Sequence, residues 1–300
     1  MLDHGGSNSR LLPVWRCIDL NLWFTETENS NLAVKYHIKK VLAHKKTKYQ
    51  ELLVVETERF GRTLILDGAI QTTVGDEYVY HEMIAHVPLF THPQPKKVLI
   101  IGGGDGGTVR ETVKHQSVKE VHLVEIDPEV VAAAKEYLPE ISCGLSDPRV
   151  TIHHTDGIKF IADCKDEYDV IIIDSSDPIG PALGLFRAEF YANAARALKD
   201  NGVFVAQTES PWLNFEIMLP EIYHGIKAAF PITRMYLCNI PTYPCGMWSF
   251  TLGSKQYDPL KVDPATISDL GYRYYTPQVH HASFALPQFV QDLLHQADRP

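Results

Sequence analysis

The chain has 300 residues, 45% hydrophobic and 22% charged, enough apolar material for one full core plus a smaller domain and too much for a disordered polypeptide. With 37 acidic against 28 basic side chains and no basic block it is unsuited to a nucleic-acid backbone, and no apolar stretch reaches the roughly 20 residues of a membrane span. Five cysteines, Cys17, Cys143, Cys164, Cys238 and Cys245, form no CxxC pair and are odd in number, which opposes a zinc knuckle or disulfide framework and fits a cytoplasmic address.

Residues 1–18 contain GGSNS, show no period and lack the apolar segment of a signal peptide, so a flexible tail is expected there. From 19 to 90 short extended runs, AVKYHIKKVLAH, YQELLVVET and TLILDGAIQTTV, are punctuated by ERFGR and LDG. They predict a small antiparallel β domain of hairpins, followed by a connecting helix in YVYHEMIAHVPLF. The proline-rich THPQPKK marks a boundary, and from 91 to 300 the rhythm becomes strand, helix, strand, helix. KKVLIIGGG, VHLVEID, VTIHHTD, YDVIIID and GVFVAQT are apolar strands, and PEVVAAAKEYL is a helix with Asp127 as N-cap and Pro128 at its first position. Continuous apolar strands alternating with helices predict an α/β fold, a doubly wound parallel sheet covered on both faces. The last segment, YRYYTPQVHHASFALPQFVQDLL, predicts one or two capping helices.

Ligands of such sheets sit beyond the carboxyl ends of the strands. Those ends carry Asp105 in GGGDGG, Glu125, Asp156, Asp174 with Asp177, and Gln207 followed by Glu209. Any one of these acids could be a helix cap or turn residue, but recurrence at five successive strands suggests a site for something cationic. Gly102, Gly104 and Gly107 fit GxGxxG, and Glu125 on the next strand is placed for a ribose hydroxyl pair, so an adenosine-containing ligand is expected. The motif alone does not separate a dinucleotide from an S-adenosyl compound. Asp105 does bear on it: a carboxylate in the loop would repel a pyrophosphate and attract a cation, above all one with an ammonium and no carboxylate beside it. Asp156-Gly157 suits either an adenine amine or a simple turn.

VLIIGGGDGGTVRETVKH, VEIDPEVV, TDG, DSSDPIGPA and IPTYPCG, in this order and spacing, closely resemble the spermidine synthases, the putrescine aminopropyltransferases. The resemblance runs from LWFTE through DEYVYHEMIAHVPLFTHP to LPQFV, nearly the whole chain apart from the amino-terminal tail. It implies an N-terminal β domain, a Rossmann-like domain of the methyltransferase type, and transfer of the aminopropyl group of decarboxylated S-adenosylmethionine to putrescine. That sulfonium nucleoside is a co-substrate, with no tightly bound cofactor, and family members are commonly homodimers or homotetramers. By position, Gln50, Glu125, Asp156, Gly157 and Pro181 are implied to hold the nucleoside with the glycine loop, and Asp105 its aminopropyl ammonium. Tyr80, His81, Asp174, Ser175, Ser176, Asp177 and Tyr243 are implied around the diamine, with Asp174 as proton acceptor. Cys245 stands where a serine is common, and His81 where some members carry glutamine.

The residue types suit that chemistry. An alkylamine is protonated at neutral pH and attacks nothing until it loses a proton, and a carboxylate accepts one only if burial raises its pKa or desolvation lowers the amine's. The sulfonium is already an activated leaving group, so positioning carries most of the catalysis. Glu209 or Trp212 is expected to hold or box the second ammonium. The histidines lack metal-site spacing, and Cys245 as a nucleophile has no step to perform. Two alternatives remain: an S-adenosylmethionine-dependent diamine N-methyltransferase, which Asp105 opposes, and a non-catalytic polyamine-binding protein, which Asp174, Tyr80 and Tyr243 oppose.

Overall fold

The structure, a computed structural model, describes residues 21–177, 180–213 and 218–296, so the expected tail at 1–18 lies outside the described residues. Strands β1 (Leu22–Asn29), β2 (Leu32–Lys46), β3 (Glu51–Thr57), β4 (Gly61–Leu66) and β5 (Ala69–Thr73) pair antiparallel in chain order. Between paired Leu66 and Ala69, Asp67 and Gly68 take positive φ of 49° and 85°, the two-residue hairpin geometry whose twist matches the flanking strands. One face of this sheet, with Leu52, Val54 and Leu64, packs on Val130, Ala133, Leu138 and Ile141 of the second domain. The small sheet is thereby a wall over the larger one's helices.

Helix α1 (Glu77–Thr91) is buried on nearly every face, as its mixture of apolar residues and buried acids and histidines requires. It lies against α2 (Gly107–Val113) and the second sheet. That sheet contains β6 (Lys97–Gly102), β7 (Glu120–Val124), β8 (Val150–His153), β9 (Tyr168–Asp174), β10 (Leu198–Gln207), β11 (Ile232–Asn239) and β12 (Met247–Ser254), in the order β11-β12-β10-β9-β6-β7-β8. Helices α3 (Pro128–Tyr137), α4 (Pro139–Ser142), α5 (Gly157–Ala162), α6 (Ala188–Ala197), α7 (Met218–Ala229), α8 (Pro277–Ala282) and α9 (Gln288–Gln296) complete the chain. All seven residues of β9 are buried. Val170 and Ile172 join the core under α1, while Ile171 and Ile173 join the core under α6, so a strand covered on both faces reads as an unbroken apolar run.

The five strands expected to form a parallel sheet do so, and two further strands make the whole sheet mixed. Strands β8, β7, β6, β9 and β10 are parallel, but β12 runs antiparallel to both β10 and β11. Strands β11 and β12 are joined directly through IPTYPCG, where Cys245 and Gly246 take positive φ of 61° and 71°, and without a crossover helix two sequential strands can pair only as a hairpin. Among the described residues, no helix is long and apolar enough to cross a membrane.

One side chain of α1 anchors the start of the C-terminal segment. The buried Glu82 carboxylate of α1 accepts hydrogen bonds from the backbone N–H groups of Arg273, Tyr274 and Tyr275 at 2.8, 2.8 and 2.7 Å. Removing it leaves three donors without their acceptor, each costing about 1–3 kcal/mol if it stays buried. Glu82→Ala is therefore expected to destabilise by about 3 kcal/mol, lowering the thermal midpoint by roughly 6 °C or more. Calorimetry on parent and variant checks this, and a shift within about 1 °C would show that water replaces the carboxylate.

Candidate active site

Strand β6 lies between β7 and β9, so the chain winds away from it in both directions and the topological switch point falls between β6 and β9. Gly102 is paired with Asp174 there. Gly102 has φ 79°, and a Cβ on it would run into the Asp174 carbonyl, so glycine alone lets the chain turn at this point. The strand order thus places the glycine loop directly beside Asp174.

Asp174 is buried, and both of its oxygens are engaged: Tyr80 Oη of α1 donates to Oδ1 at 2.7 Å and Thr108 Oγ1 of α2 to Oδ2 at 2.6 Å. Burial, reinforced by the charge of Asp105, pushes its pKa above the usual carboxylate value. Asp105 is held differently. Its Oδ1 accepts from the Gly107 N–H at 2.7 Å and faces His81 Nε2 at 3.3 Å. Burial would raise the Asp105 pKa, but the His81 charge and hydrogen bond outweigh it and hold it low.

Two cavities meet across Asp67, Ala69, Gln71 and Ser175 to Asp177. The first, of about 240 Å³, is lined by Gln50, Gly102, Gly104, Asp105, Glu125, Asp156, Gly157 and Asp174, bringing together most of the residues expected around a nucleoside. Gln50 Nε2 and Thr47 Oγ1 both donate to Asp127 Oδ2, at 2.9 and 2.7 Å, so the helix-capping Asp127 also anchors the small domain's rim. Glu125 accepts from the Asp127 N–H at 2.9 Å, yet burial first and the neighbouring acids second push it up to about 7. Asp156 both caps α5, accepting from the Ile158 N–H at 2.9 Å, and lines the cavity. Pro181 belongs to the turn at 180–186, and its side chain lies outside the described residues.

The second cavity, of about 430 Å³, is lined by Tyr80, Ser175, Ser176, Asp177, Glu209 and Tyr243, and also by Glu26, Glu28 and Trp248. Tyr243 Oη donates to the Gln71 carbonyl at 2.7 Å, and Asp76 fixes the same loop by accepting from the Thr242 N–H and Oγ1 at 2.8 and 2.7 Å. Glu26 accepts from the Ile70 N–H at 2.8 Å through Oε1, while its buried Oε2 has no partner among the described residues. Glu26 is pushed up to about 8, by burial and then the charges of Glu28 and Asp177. Glu209, at φ 68°, is likewise pushed up to about 8, by burial and then Asp177.

Glu26 and Glu28 were not among the acids expected at the site. Their alternate spacing in β1 puts both on one face, but nothing local shows that this face looks into the site. His81 lines neither cavity, standing instead behind Asp105 with Nδ1 2.6 Å from Glu77 Oε2. Trp212 also lines neither: it is half exposed and its ring packs on Phe289 at 4.5 Å. No lysine, arginine or histidine lines either cavity among the described residues, and no group of three or more metal-ligating side chains is placed to hold an ion.

The raised carboxylates have a measurable consequence. Glu26 and Glu209 keep their protons to about 8 when folded but release them near 4.5 when unfolded, so the stability they contribute is full below 4.5 and lost as pH rises towards 8. In the Glu26→Gln, Glu209→Gln double variant that loss disappears. Its thermal midpoint relative to the parent is expected to climb by several degrees between about pH 5 and pH 8; groups remote from the two sites cancel in the difference, and Glu28 and Asp177, relieved of a like charge, shift it in the same direction. Scanning calorimetry at three pH values tests this, and a constant difference would contradict it.

Comparison with known proteins agrees with this geometry. Residues 77–263 match the family described as spermine/spermidine synthase domain, and residues 22–74 the spermidine synthase tetramerisation domain. The chain is 58% identical over 273 residues to a polyamine aminopropyltransferase of Moorella thermoacetica, covering 91% of this chain and 96% of that protein. It is 55% identical over 276 residues to one of Caldicellulosiruptor saccharolyticus, covering 92% and 99%. Among solved structures, a spermidine synthase in complex with the transition state analogue AdoDATO superimposes with a TM-score of 0.90 at 44% identity, over 93% of this chain and 96% of that one. The spermidine synthase of Thermotoga maritima superimposes with a TM-score of 0.87 at 44% identity, over 92% and 95%. With matches that span both sheets and the acidic crevice between them, the chain belongs to the spermine/spermidine synthase family.

Proposed function

We propose that this protein transfers the aminopropyl group of decarboxylated S-adenosylmethionine to putrescine, giving spermidine and 5'-methylthioadenosine. One observation carries the choice of donor: both cavities are lined by acids, with no basic side chain among the described residues. Intact S-adenosylmethionine would bring a carboxylate to Asp105 with nothing to pair it, whereas the decarboxylated form brings only an ammonium. The nucleoside fits the first cavity, its ribose on Glu125, its adenine towards Asp156 and Gly157, and its ammonium on Asp105.

Putrescine then occupies the second cavity, one nitrogen near Asp174 and Tyr80, the other towards Glu26 and Glu209. An alkylammonium has a pKa of about 10.4, far above the ordinary carboxylate value, so the proton moves only in a site that disfavours both charges. Asp174 meets that condition, being buried beside another acid. It takes the ammonium proton, the freed nitrogen lone pair attacks the methylene carbon next to sulfur, and the carbon–sulfur pair leaves with the sulfur as neutral thioether. Tyr80 and Thr108 hold the carboxylate still, so the amine meets a preset acceptor.

We infer that the exposed Leu22, Trp23 and Val41 of the small sheet meet another copy in a homo-oligomer, in keeping with the tetramerisation match over 22–74.

Asp174→Asn is expected to lower kcat by about 10²- to 10⁴-fold while leaving methylthioadenosine affinity within about twofold. Asp105→Ala is expected instead to raise the KM for the sulfonium substrate more than it lowers kcat. Steady-state kinetics with an acceptor panel, scored by methylthioadenosine release and product mass, checks both. Asp174→Asn at near full turnover would remove the base assignment, and a product heavier by one methyl would remove the aminopropyl reading.

A further inference from the structure

His81 is gripped from both ends by carboxylates: Glu77 Oε2 at 2.6 Å from Nδ1 and Asp105 Oδ1 at 3.3 Å from Nε2. Glu77 is in turn held by Arg110, whose Nη1 and Nη2 reach its two oxygens at 3.0 and 2.8 Å. The row Arg110, Glu77, His81, Asp105 alternates in charge and ends in the first cavity. It is largely shut from solvent, with side chains 16%, 5%, 2% and 12% exposed in that order. We propose that Glu77 and Arg110 are positioning residues for the sulfonium substrate: they keep a proton on both nitrogens of His81, which clamps Asp105 by Oδ1 and leaves Oδ2 alone to receive the aminopropyl ammonium. The proposal rests on the assignment of Asp105 to that ammonium.

The chemistry of the ring leaves little choice. A neutral imidazole has one N–H and one lone pair, and here the lone pair would face a carboxylate whichever nitrogen carried it. The groups around the ring are the Glu77 carboxylate on its own helix, Asp105 in the glycine loop, Arg110 and the Gly107 backbone on α2, the Tyr80 ring 5.4 Å away and the charge of Asp174 at the end of β9. Gly107 lacks the Cβ that would run into the ring, so α2 closes directly on it. Burial opposes the imidazolium, but Asp105 and Glu77 together outweigh it and hold the His81 pKa well above its ordinary value. Arg110 also donates to Glu111 Oε1 at 2.8 Å and to the Glu140 carbonyl at 3.1 Å, which fixes its guanidinium and through it Glu77.

Glu77→Gln keeps an acceptor for Nδ1–H but removes its charge, so His81 should lose its second proton within the assay range. The expected result is a KM for decarboxylated S-adenosylmethionine that rises about tenfold from pH 6 to pH 9 relative to the parent, with kcat and the putrescine KM changed less than about threefold. In Glu77→Gln, His81→Gln the amide donates an N–H to Asp105 at every pH, and the extra pH dependence should vanish. A measurement on the parent enzyme needs no variant to fold: with carbon-13-labelled histidine, the His81 Cε1–H resonance, identified by its through-space contacts with Gly107 and the Tyr80 ring, should keep imidazolium shifts from pH 6 to pH 9. Ordinary titration of that resonance near 6.5, or a Glu77→Gln enzyme with the parent's pH profile, overturns the proposal alone. An Asp105→Ala enzyme with unchanged KM for the sulfonium substrate overturns the assignment of Asp105 and the proposal with it.

Discussion

Two carboxylates, the buried Asp174 and the largely enclosed Asp105, stand side by side at the switch point of the sheet, and much of the surrounding structure serves to keep them there. Burial disfavours each charge, and each disfavours the other's. The two are relieved in different ways. Asp174 receives two hydroxyl donors and keeps a raised pKa, whereas Asp105 receives a backbone N–H and a cationic ring and keeps a lowered one. One fold thereby offers an acid that can take a proton beside another that stays charged.

Helix α1 is the element on which this division depends. Tyr80 leans to Asp174 and its neighbour His81 to Asp105, while Glu77 one turn earlier backs His81. Because successive residues on a helix point about 100° apart, one short stretch serves both carboxylates. Glu82, farther along, ties the same helix to the C-terminal segment, so the helix is fixed from the side away from the site.

The small sheet supplies the other half of the enclosure. Its backbone carbonyl at Gln71 orients Tyr243, its Gln50 shares Asp127 with Thr47, and its first strand turns Glu26 and Glu28 into the second cavity. The hairpin of β11 and β12 brings Tyr243 and Trp248 from the opposite side. The cationic substrates proposed here would pair with the charge of Asp105 and favour the charged forms of Glu26 and Glu209, and because binding to the folded chain alone adds to its stability, the site and the two sheets that wall it are linked.

Much of this was legible in the sequence. The unbroken run VIIIDSSD announced a strand covered on both faces that ends in acids, and GGGDGG announced a loop with a carboxylate where a phosphate binder has none. Those signals are local: apolar continuity, glycine spacing and an acid at a strand end are set by neighbours along the chain. The hairpin at the sheet edge, the partner of His81 and the part played by Glu26, Glu28 and Trp212 were not legible. Each depends on which distant segments fold against each other, since Glu26 meets the site only because β1 lies at the edge beside β2 and packs by Ile70, and His81 turns to Asp105 only because Gly107 lets α2 approach. The sequence by itself determined the charge, the glycine turn and the carboxyl-edge location. Tertiary structure decided which acids stay charged, because pKa values follow burial and neighbours in space rather than order along the chain.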